Sequence, residues 1–351
     1  MRIPIHNVKV GDKLISDVFN DYGLHVLSRD TQLNESDIVK LNRHKIAHVD
    51  IDYREIIEVA VSRNFRLEAI EQEIQPKFND AVNGMKTLFE QVMQEGKINE
   101  ELVDRNFEPL IEHFEQEVDV VSLLLSLTSK DAYTYQHCVQ VGMISYYIAK
   151  WVGMNEEEAL LTGKAGYLHD IGKCRIDTTI LNKPAKLTAE EFNIMKSHTT
   201  HGHDIITRSL PNHPALSTVA LQHHERLNGN GYPHGITGEQ MHPMSKIVAI
   251  ADIYSAMISS RVYQKKRDLL FVLRELHKLS FTDLDPHIVL TFIQHMIPNF
   301  IGKKLILKSG EIGQIIMTNP TDPFRPLIRI DNTFIDLSKD HTLEIETIFQ
   351  N

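Results

Sequence analysis

The first 62 residues alternate short apolar runs with turn residues. Val8–Asp12 and Leu24–Leu27 are short runs with branched apolar side chains, bounded by residues that favour turns, which predicts two strands. A short helix is predicted over Ser36–His44, followed by the apolar run Ala47–Ile51. We therefore predict a small β-rich module over residues 1–62, with no catalytic groups of its own.

From residue 63 the apolar positions change to helical spacing. They recur at steps of three and four at Leu67, Ile70, Ile74, Phe78, Ala81, Met85, Leu88 and Val92. Pro76 is expected to interrupt this helix. Such a stripe faces either the protein core or the seam of a dimer, and we favour the core. The prediction is a helical connector over residues 63–127.

Residues 128–300 continue as helices separated by loops rich in Gly, Pro and Asn, and strand-like runs return after that. The predicted strands are Leu305–Leu307, Gly313–Met317 and Leu327–Ile330. The predicted fold is mainly α, with a helical bundle over residues 128–300 and small β-rich modules at both ends, the second over residues 301–351.

Composition narrows the class of protein. The formal net charge of −10 argues against a general nucleic-acid binder. No run of about 18 apolar residues predicts a membrane span, and the start does not resemble a secretion signal. Cys138 and Cys174 are the two cysteines, so no disulfide framework is expected. We expect a cytoplasmic protein.

Histidine and aspartate residues fall at core-facing positions. His137 precedes Val141, Ile144 and Ile148 at helical steps, which predicts that its side chain points inward. His169 and Asp170 stand near the end of another predicted helix. That helix is expected to begin at Asn155 and to end at Gly172.

Two later helices are expected to bring more histidines to the core. Thr188 and Glu191 form a capping box that starts a helix, which is expected to carry His198 on its apolar side. The helix after it is expected to carry His223 and His224.

Asp252 follows the apolar run Ile247–Ala251, and a carboxylate is costly to bury there unless it is paired or binds a metal. Each group alone could be a hydrogen-bonded core residue. Together they favour a site for Fe, Mn or Zn in a helical bundle, and seven ligands fit two ions better than one. The candidate ligands are His137, His169, Asp170, His198, His223, His224 and Asp252.

These residues belong to an ordered series of short motifs over about residues 120–300. The motifs are His169-Asp170 with Ile171-Gly172-Lys173, Asn182-Lys183-Pro184, His198, His223-His224-Glu225-Arg226, Gly231-Tyr232-Pro233 and Ile250-Ala251-Asp252. The series resembles the HD-GYP family, a branch of the HD phosphohydrolases that degrades the bacterial messenger cyclic di-GMP. The resemblance implies an HD-type helical core and a phosphodiesterase that yields linear pGpG.

The resemblance also implies roles for individual residues. The seven candidate ligands would hold two divalent ions, Fe or Mn foremost, with Zn, Ni, Mg or Ca as alternatives. Asp170 would bridge them, and a shared hydroxide would attack the phosphorus. Lys173, Lys183, Arg261 and Lys265 would contact substrate, with Lys173 on the scissile phosphate.

The loop Gly231-Tyr232-Pro233 is implied to contact a partner, such as a diguanylate cyclase (GGDEF) domain. A homodimer is a further expectation.

Four positions depart from the family pattern. Tyr133 stands where some members have a glutamate for a third metal, so we expect two ions, and cleavage onward to GMP is less expected. Asn228, Ser255 and Gln264 replace residues common near the substrate. They keep open one alternative, a non-catalytic cyclic di-GMP sensor. A second alternative is an HD phosphohydrolase acting on cyclic GMP-AMP or another nucleotide.

Overall fold

The computed structural model describes most of the chain in nine stretches. They are residues 2–5, 8–20, 23–44, 46, 48–52, 56–115, 133–258, 269–319 and 321–349, with side chains undescribed at 2–4, 56–73, 114–115 and 133. The chain divides into two compact units, Met1–Arg66 and Leu67–Asn351, and each is considered by itself. The finer domain boundaries given above stay predictions.

The first unit is a small β-rich module. Its elements are β1 (Arg2–Pro4), β2 (Val18–Phe19), β3 (His25–Leu27), α1 (Glu35–Arg43) and β4 (His48–Asp50). Strand β1 pairs with β4 and β2 with β3, both antiparallel. Leu14, Leu33, Leu41 and Ile51 are buried between them. This core is small, as the short apolar runs predict.

One predicted strand of this module is wrong. Residues Val8–Asp12 form a turn, because Gly11 adopts a φ of +97° and the Lys9 backbone N–H donates to the Asp12 carboxylate at 2.8 Å. A left-handed glycine breaks the extended backbone that a strand requires. The strand at Leu24–Leu27 and the helix at Ser36–His44 are confirmed to within one residue.

The second unit is a helical bundle followed by a sheet. Its helices are α2 (Ile56–Glu95, which begins before the division), α3 (Glu100–Glu115), α4 (Tyr133–Trp151), α5 (Glu156–Leu168), α6 (Thr178–Leu181), α7 (Ala189–Lys196), α8 (His198–Ser209), α9 (Pro214–Gln222), α10 (Pro243–Ile258), α11 (Leu269–Leu279) and α12 (Pro286–Met296), with 3-10 helices at Ile171–Arg175 and Ile297–Phe300. Helix α4 packs on α5 and α10, and α8 packs on α9 and the first 3-10 helix. These contacts surround the histidine-rich region.

From Ile74 onward the apolar stripe of α2 faces the core, as predicted; the side chains of Leu67 and Ile70 lie outside the described residues. Ile74, Phe78, Ala81, Met85, Leu88 and Val92 are all buried in the cluster that the bundle shares. The helix runs unbroken through Pro76, so the predicted interruption is wrong. Burial of the stripe on both sides of Pro76 holds the helix together, and tertiary packing can override a local preference of this kind.

Three predicted helix ends near the candidate ligands are wrong. Helix α5 ends at Leu168, four residues before Gly172. The helix begun by Thr188 ends at Lys196, because Ser197 donates both its N–H and its hydroxyl to the Ile194 carbonyl, and His198 starts the next helix. Helix α9 ends at Gln222, so His223 and His224 follow it. The capping boxes at Asn155 and Thr188 are confirmed.

A five-stranded antiparallel sheet ends the chain. Its strands are β5 (Lys304–Leu307), β6 (Ile312–Met317), β7 (Leu327–Ile330), β8 (Thr333–Asp336) and β9 (Ile345–Ile348), in the order β8-β7-β6-β5-β9. The three predicted strands are confirmed to within one residue. Leu305, Leu307, Ile315 and Ile328 bury their side chains in the same core as the helices. Among the residues described, no helix is long and apolar enough to cross a membrane.

Gly172 sets how closely the first 3-10 helix approaches α8. A Cβ added at Gly172 would lie 2.0 Å from the His198 carbonyl oxygen and 2.4 Å from the Gly202 nitrogen. We expect Gly172→Ala to lower the free energy of unfolding by about 1–3 kcal/mol, because backbone must shift to admit the methyl group.

Urea denaturation measures this loss, and Gly202→Ala is the matched control. The nearest atom to a Cβ at Gly202 is the Ala220 methyl group at 3.4 Å, and alanine favours the helix. Equal stability of the two variants would contradict the close approach at Gly172.

Candidate metal centre

Three of the predicted ligands meet where α4 packs on the end of α5. His137 lies on α4, His169 caps the C-terminus of α5, and Asp170 precedes the 3-10 helix. One ligand atom from each of the three lies within 4.8 Å of the others, and all three side chains are buried. The arrangement is a compact group of two imidazoles and one carboxylate.

A second group includes the same aspartate. Asp170, His198, His223 and His224 also place one ligand atom each within 4.8 Å of one another. His198 comes from the start of α8, and His223 and His224 come from the end of α9. Asp170 therefore belongs to both groups, and its two carboxylate oxygens lie between them.

Backbone hydrogen bonds fix the tautomer of three of these histidines. In each, the Nδ1–H donates to the carbonyl oxygen three residues earlier, so Nε2 is left with a lone pair. The pairs are His169 with Gly166 at 2.6 Å, His198 with Met195 at 2.6 Å, and His223 with Ala220 at 2.9 Å. A histidine that binds a metal through Nε2 has this arrangement.

The resulting lone pairs face one another without a proton between them. His198 Nε2 and His223 Nε2 lie 3.3 Å apart, and neither can donate to the other in this tautomer. Buried His169 Nε2 and Asp170 Oδ1 have no hydrogen-bond partner among the described residues. Buried acceptors of this kind are costly unless a cation satisfies them. The site therefore fits a divalent metal, since imidazole nitrogen and carboxylate oxygen are suitable donors.

Asp252 completes the set of seven predicted ligands, although it is not in either of the two groups. Its Oδ1 lies 3.0 Å from His137 Nε2, and its Oδ2 lies 3.8 Å from His224 Nδ1. It thus contacts a member of each group. The structure brings all seven predicted ligands together, and their roles as ligands stay a prediction.

Lys173 is placed on the shared carboxylate. Its Nζ donates to Asp170 Oδ2 from the 3-10 helix, one turn after the aspartate. Burial alone would lower the pKa of Lys173, but the charge of Asp170 raises it above its ordinary value. The ammonium group is therefore charged, and the Lys173 side chain is 22% exposed.

Of the other predicted substrate contacts, only Lys183 lies among the described residues. Lys183 is half-buried and donates to both carboxylate oxygens of Glu191, at 2.7 and 2.6 Å. Arg261 and Lys265 lie outside the described residues, as does Gln264, and the side chain of Tyr133 is not described.

The Gly231-Tyr232-Pro233 loop covers one ligand. The Tyr232 ring stacks on the His224 ring, with the ring centroids 4.6 Å apart. The backbone N–H of Tyr232 donates to the His224 carbonyl oxygen at 3.2 Å. A Cβ on Gly231 would lie 2.4 Å from the Glu225 Cα, so a side chain does not fit there. The loop is therefore held tightly against the segment of chain that carries His223 and His224.

Glu225 holds this loop, but its role in the site was not predicted from the sequence. Its fully buried carboxylate accepts the backbone N–H groups of His234, Gly235 and Ile236 at 2.8, 3.1 and 3.2 Å. Its place directly after two candidate ligands was the available signal. Periodicity does not show which backbone groups a carboxylate will meet nine to eleven residues later.

Asn228, one of the four departures, ties the same loop to the turn before α12. Its side-chain Nδ2 donates to Asp283 Oδ1 at 2.6 Å, and its Oδ1 accepts the Asn230 N–H at 2.9 Å. An aspartate here would place a carboxylate against another carboxylate. The amide therefore suits its neighbour in this chain.

Comparison with known proteins places this geometry in a family. The HD domain model matches residues 118–288, just under half of the chain. A cyclic di-GMP phosphodiesterase of Thermotoga maritima is 38% identical over 198 residues, which cover 55% of this chain and 53% of that protein. The 3'3'-cGAMP-specific phosphodiesterase 3 of Vibrio cholerae is 30% identical over 158 residues, covering 45% of this chain and 34% of that protein. The chain thus spans about half or less of the length of these relatives.

One solved structure has a similar fold. It is Bd1817, a HDG"Y"P protein from Bdellovibrio bacteriovorus, with a TM-score of 0.50 and 17% identity over 83% of this chain and 97% of that one. This likeness confirms the predicted fold class, a mainly helical protein with an HD-type bundle and small sheets. The relatives and the HD domain together confirm the resemblance to the HD-GYP family.

Protonation of the buried histidines should destabilise the metal-free protein. Burial lowers the pKa of His198 to about 4 and that of His224 to about 3. Histidine in an unfolded chain titrates near ~6.5. Between about pH 6.5 and pH 4 the unfolded chain therefore binds more protons, and the free energy of unfolding falls as pH falls. His169 differs: burial lowers its pKa, but the charge of Asp170, a hydrogen bond to Asp170 and the charge of Asp252 together raise the pKa above its ordinary value, so the contribution of His169 to stability changes only at higher pH.

Between pH 6.5 and 4.5 we expect the free energy of unfolding of the metal-free protein to fall by a few kcal/mol. Each buried neutral histidine contributes on the order of 1.4 kcal/mol per pH unit. Urea denaturation at several pH values measures it. His198→Gln should reduce the slope, and a stability that rises toward pH 4.5 would contradict the buried neutral state.

Glu225→Gln should loosen the loop. The new amide replaces one acceptor oxygen with an NH₂ group that faces backbone N–H donors, which costs about 1–3 kcal/mol for each buried donor left unpaired. We expect amide hydrogen exchange at residues 234–236 to rise roughly tenfold or more, measured by mass spectrometry of the loop peptide. The exposed Glu239→Gln is the control. Unchanged exchange in Glu225→Gln would show that the carboxylate does not hold the loop.

Proposed function

We propose that this chain is a metal-dependent phosphodiesterase that hydrolyses cyclic di-GMP to linear pGpG. The observation that carries the proposal is the position of Asp170. Its carboxylate belongs to both ligand groups and accepts from Lys173. Two adjacent groups that share one carboxylate suit a pair of metals, and such pairs serve phosphodiester hydrolysis in many enzymes.

The two groups would supply donor atoms for two divalent ions. His137, His169 and Asp170 would hold one, and Asp170, His198, His223 and His224 the other, with Asp252 beside both. Mixed nitrogen and oxygen donors favour Fe or Mn, with Zn, Ni, Mg or Ca as alternatives. When bound, such a pair lowers the pKa of a water so that hydroxide is present near neutral pH, and it neutralises charge on the phosphoryl group.

The chain's own residues position and stabilise the reacting group. Asp170 fixes the separation between the two ligand groups, because both meet on its carboxylate. Lys173 has three N–H donors, so it can keep Asp170 and still donate to a phosphoryl oxygen where charge builds during attack. Burial lowers the pKa of four of the five proposed ligand histidines, so they stay neutral and available as ligands near neutral pH; these are His137, His198, His223 and His224.

Further contacts to substrate and partners are part of the proposal. Lys183 can contact phosphate only if its ammonium group leaves the Glu191 carboxylate or binds Glu191 and phosphate together. Arg261 and Lys265 complete the proposed set of cations. The loop of Gly231, Tyr232 and Pro233 offers a surface for a GGDEF domain, since it lies directly over His224. A homodimer and a cytoplasmic location, where Cys138 and Cys174 stay free, are further parts of the proposal.

A second candidate function is hydrolysis of cyclic GMP-AMP. The Vibrio cholerae relative named for 3'3'-cGAMP supports it, because it is similar to this chain over 158 residues. Both substrates have two phosphodiester bonds in one ring, so the metal groups would serve either. The two substrates differ in one base, which would be recognised by contacts away from the metal ligands.

The proposal is tested by metal and product analysis of protein purified without oxygen. Wild type is expected to hold two ions per chain and to convert cyclic di-GMP to pGpG with Mn²⁺ or Fe²⁺. Asp170→Ala should lose both metal and turnover, because both groups lose their shared ligand. Lys173→Met should keep its metal and lose about 100- to 1000-fold in kcat, as expected when a donor to the transition state is removed.

The exposed Asp204→Ala on α8 is the control and should behave as wild type. Full metal content in Asp170→Ala would contradict the bridging role. Tight binding of cyclic di-GMP without turnover would favour a sensor. Faster turnover of cyclic GMP-AMP would favour the second candidate.

A further inference from the structure

His137 is held differently from three of the other proposed ligand histidines. The Nδ1 atoms of His169, His198 and His223 meet backbone carbonyls, which only accept. His137 Nδ1 instead meets the hydroxyl of Ser255, with Oγ at 3.0 Å. A hydroxyl can donate or accept, so it does not decide by itself which nitrogen of the imidazole carries the proton.

A second contact removes this ambiguity. Ser255 Oγ lies 3.2 Å from Gln140 Oε1, and a carbonyl oxygen can only accept, so the serine gives its proton to Gln140. The Ser255 oxygen is then the acceptor for His137 Nδ1–H. Ser255 is fully buried, and His137 and Gln140 are each 5% exposed, so water does not compete for these bonds.

The direction of this chain of hydrogen bonds decides whether His137 can bind a metal. With the proton on Nδ1, Nε2 keeps its lone pair and faces the ligand groups. If Ser255 donated instead, the proton would lie on Nε2, where Asp252 Oδ1 at 3.0 Å would accept it. That tautomer forms a neutral pair with Asp252 and offers no nitrogen to a cation.

We propose that Ser255 and Gln140 are positioning residues that select the Nδ1–H tautomer of His137. Ser255 on α10 and Gln140 on α4 connect the two helices that carry Asp252 and His137. The proposal rests on the metal site proposed above. It also accounts for one departure from the family pattern, since serine here does the work of an acceptor through Gln140.

The test is Mn²⁺ binding to the metal-free full chain, measured by isothermal titration calorimetry. Ser255→Ala should weaken Mn²⁺ binding about 10- to 100-fold, the usual loss when a partner of a ligand histidine is removed. Gln140→Met has a similar size and removes the acceptor together with the amide NH₂ group, so it should also weaken binding. Ser245→Ala is the matched control, because Ser245 is fully buried on the same helix and its hydroxyl has no partner among the described residues.

Nitrogen NMR of the histidine rings gives a second readout that a packing role would not move. The His137 signals are assigned by their loss in His137→Asn. In metal-free wild type the proton should be on Nδ1, and in Ser255→Ala or Gln140→Met a fraction should move to Nε2. A wild-type proton on Nε2 would overturn the proposal.

The proposal also fails if both variants fold and bind Mn²⁺ as tightly as wild type, or if Ser245→Ala loses as much affinity. Gln140→Met decides the matter if Ser255→Ala does not fold. Wild type that binds Mn²⁺ but does not cleave cyclic di-GMP would end the proposed function and leave this inference standing. Cleavage by wild type with unaffected variants would end this inference alone.

Discussion

The buried carboxylate of Asp170 is the constraint around which the bundle is arranged. It is 1% exposed in a chain of net charge −10, so its charge must be met by neighbours. Lys173 balances part of this charge through an ion pair one turn away. The neutral imidazoles around Asp170 present lone pairs, which contribute no positive charge. A cation between these groups would satisfy the lone pairs that remain. The buried charge of Asp170 is therefore the feature on which the proposed metal site depends.

Close backbone packing puts Asp170 in this position. The absence of a side chain at Gly172 lets the 3-10 helix lie against the start of α8, which carries His198. The same approach brings His198 within 3.3 Å of Asp170. A glycine predicted to end a helix therefore has a different role, because it allows two segments to share one ligand group. The chemistry depends on this contact as much as on the ligands themselves.

The sequence was enough to predict which residues come together in the core, since imidazoles and carboxylates rarely occupy apolar helix positions unless they bind a cation or one another. It was not enough to predict where the helices end, because the apolar spacing continues past Leu168, Lys196 and Gln222 with no break in period. The contacts of Glu225 and Ser255 were also out of reach. Glu225 meets backbone groups of an irregular loop, and Ser255 meets His137 and Gln140, more than 100 residues earlier. Such partners are set by tertiary packing.

Three ligand histidines stand at the ends of helices, and each donates Nδ1–H to the carbonyl three residues before it. Those carbonyls belong to the last turns of α5, α7 and α9, where the helix itself supplies no donor. Each imidazole therefore satisfies a carbonyl at the end of its helix, and the same hydrogen bond sets the orientation of the ring. The length of the helix consequently determines the direction in which the histidine points. An insertion or deletion of one residue upstream in any of these helices would turn the ring by about 100°, so these segments should tolerate substitution far better than changes in length.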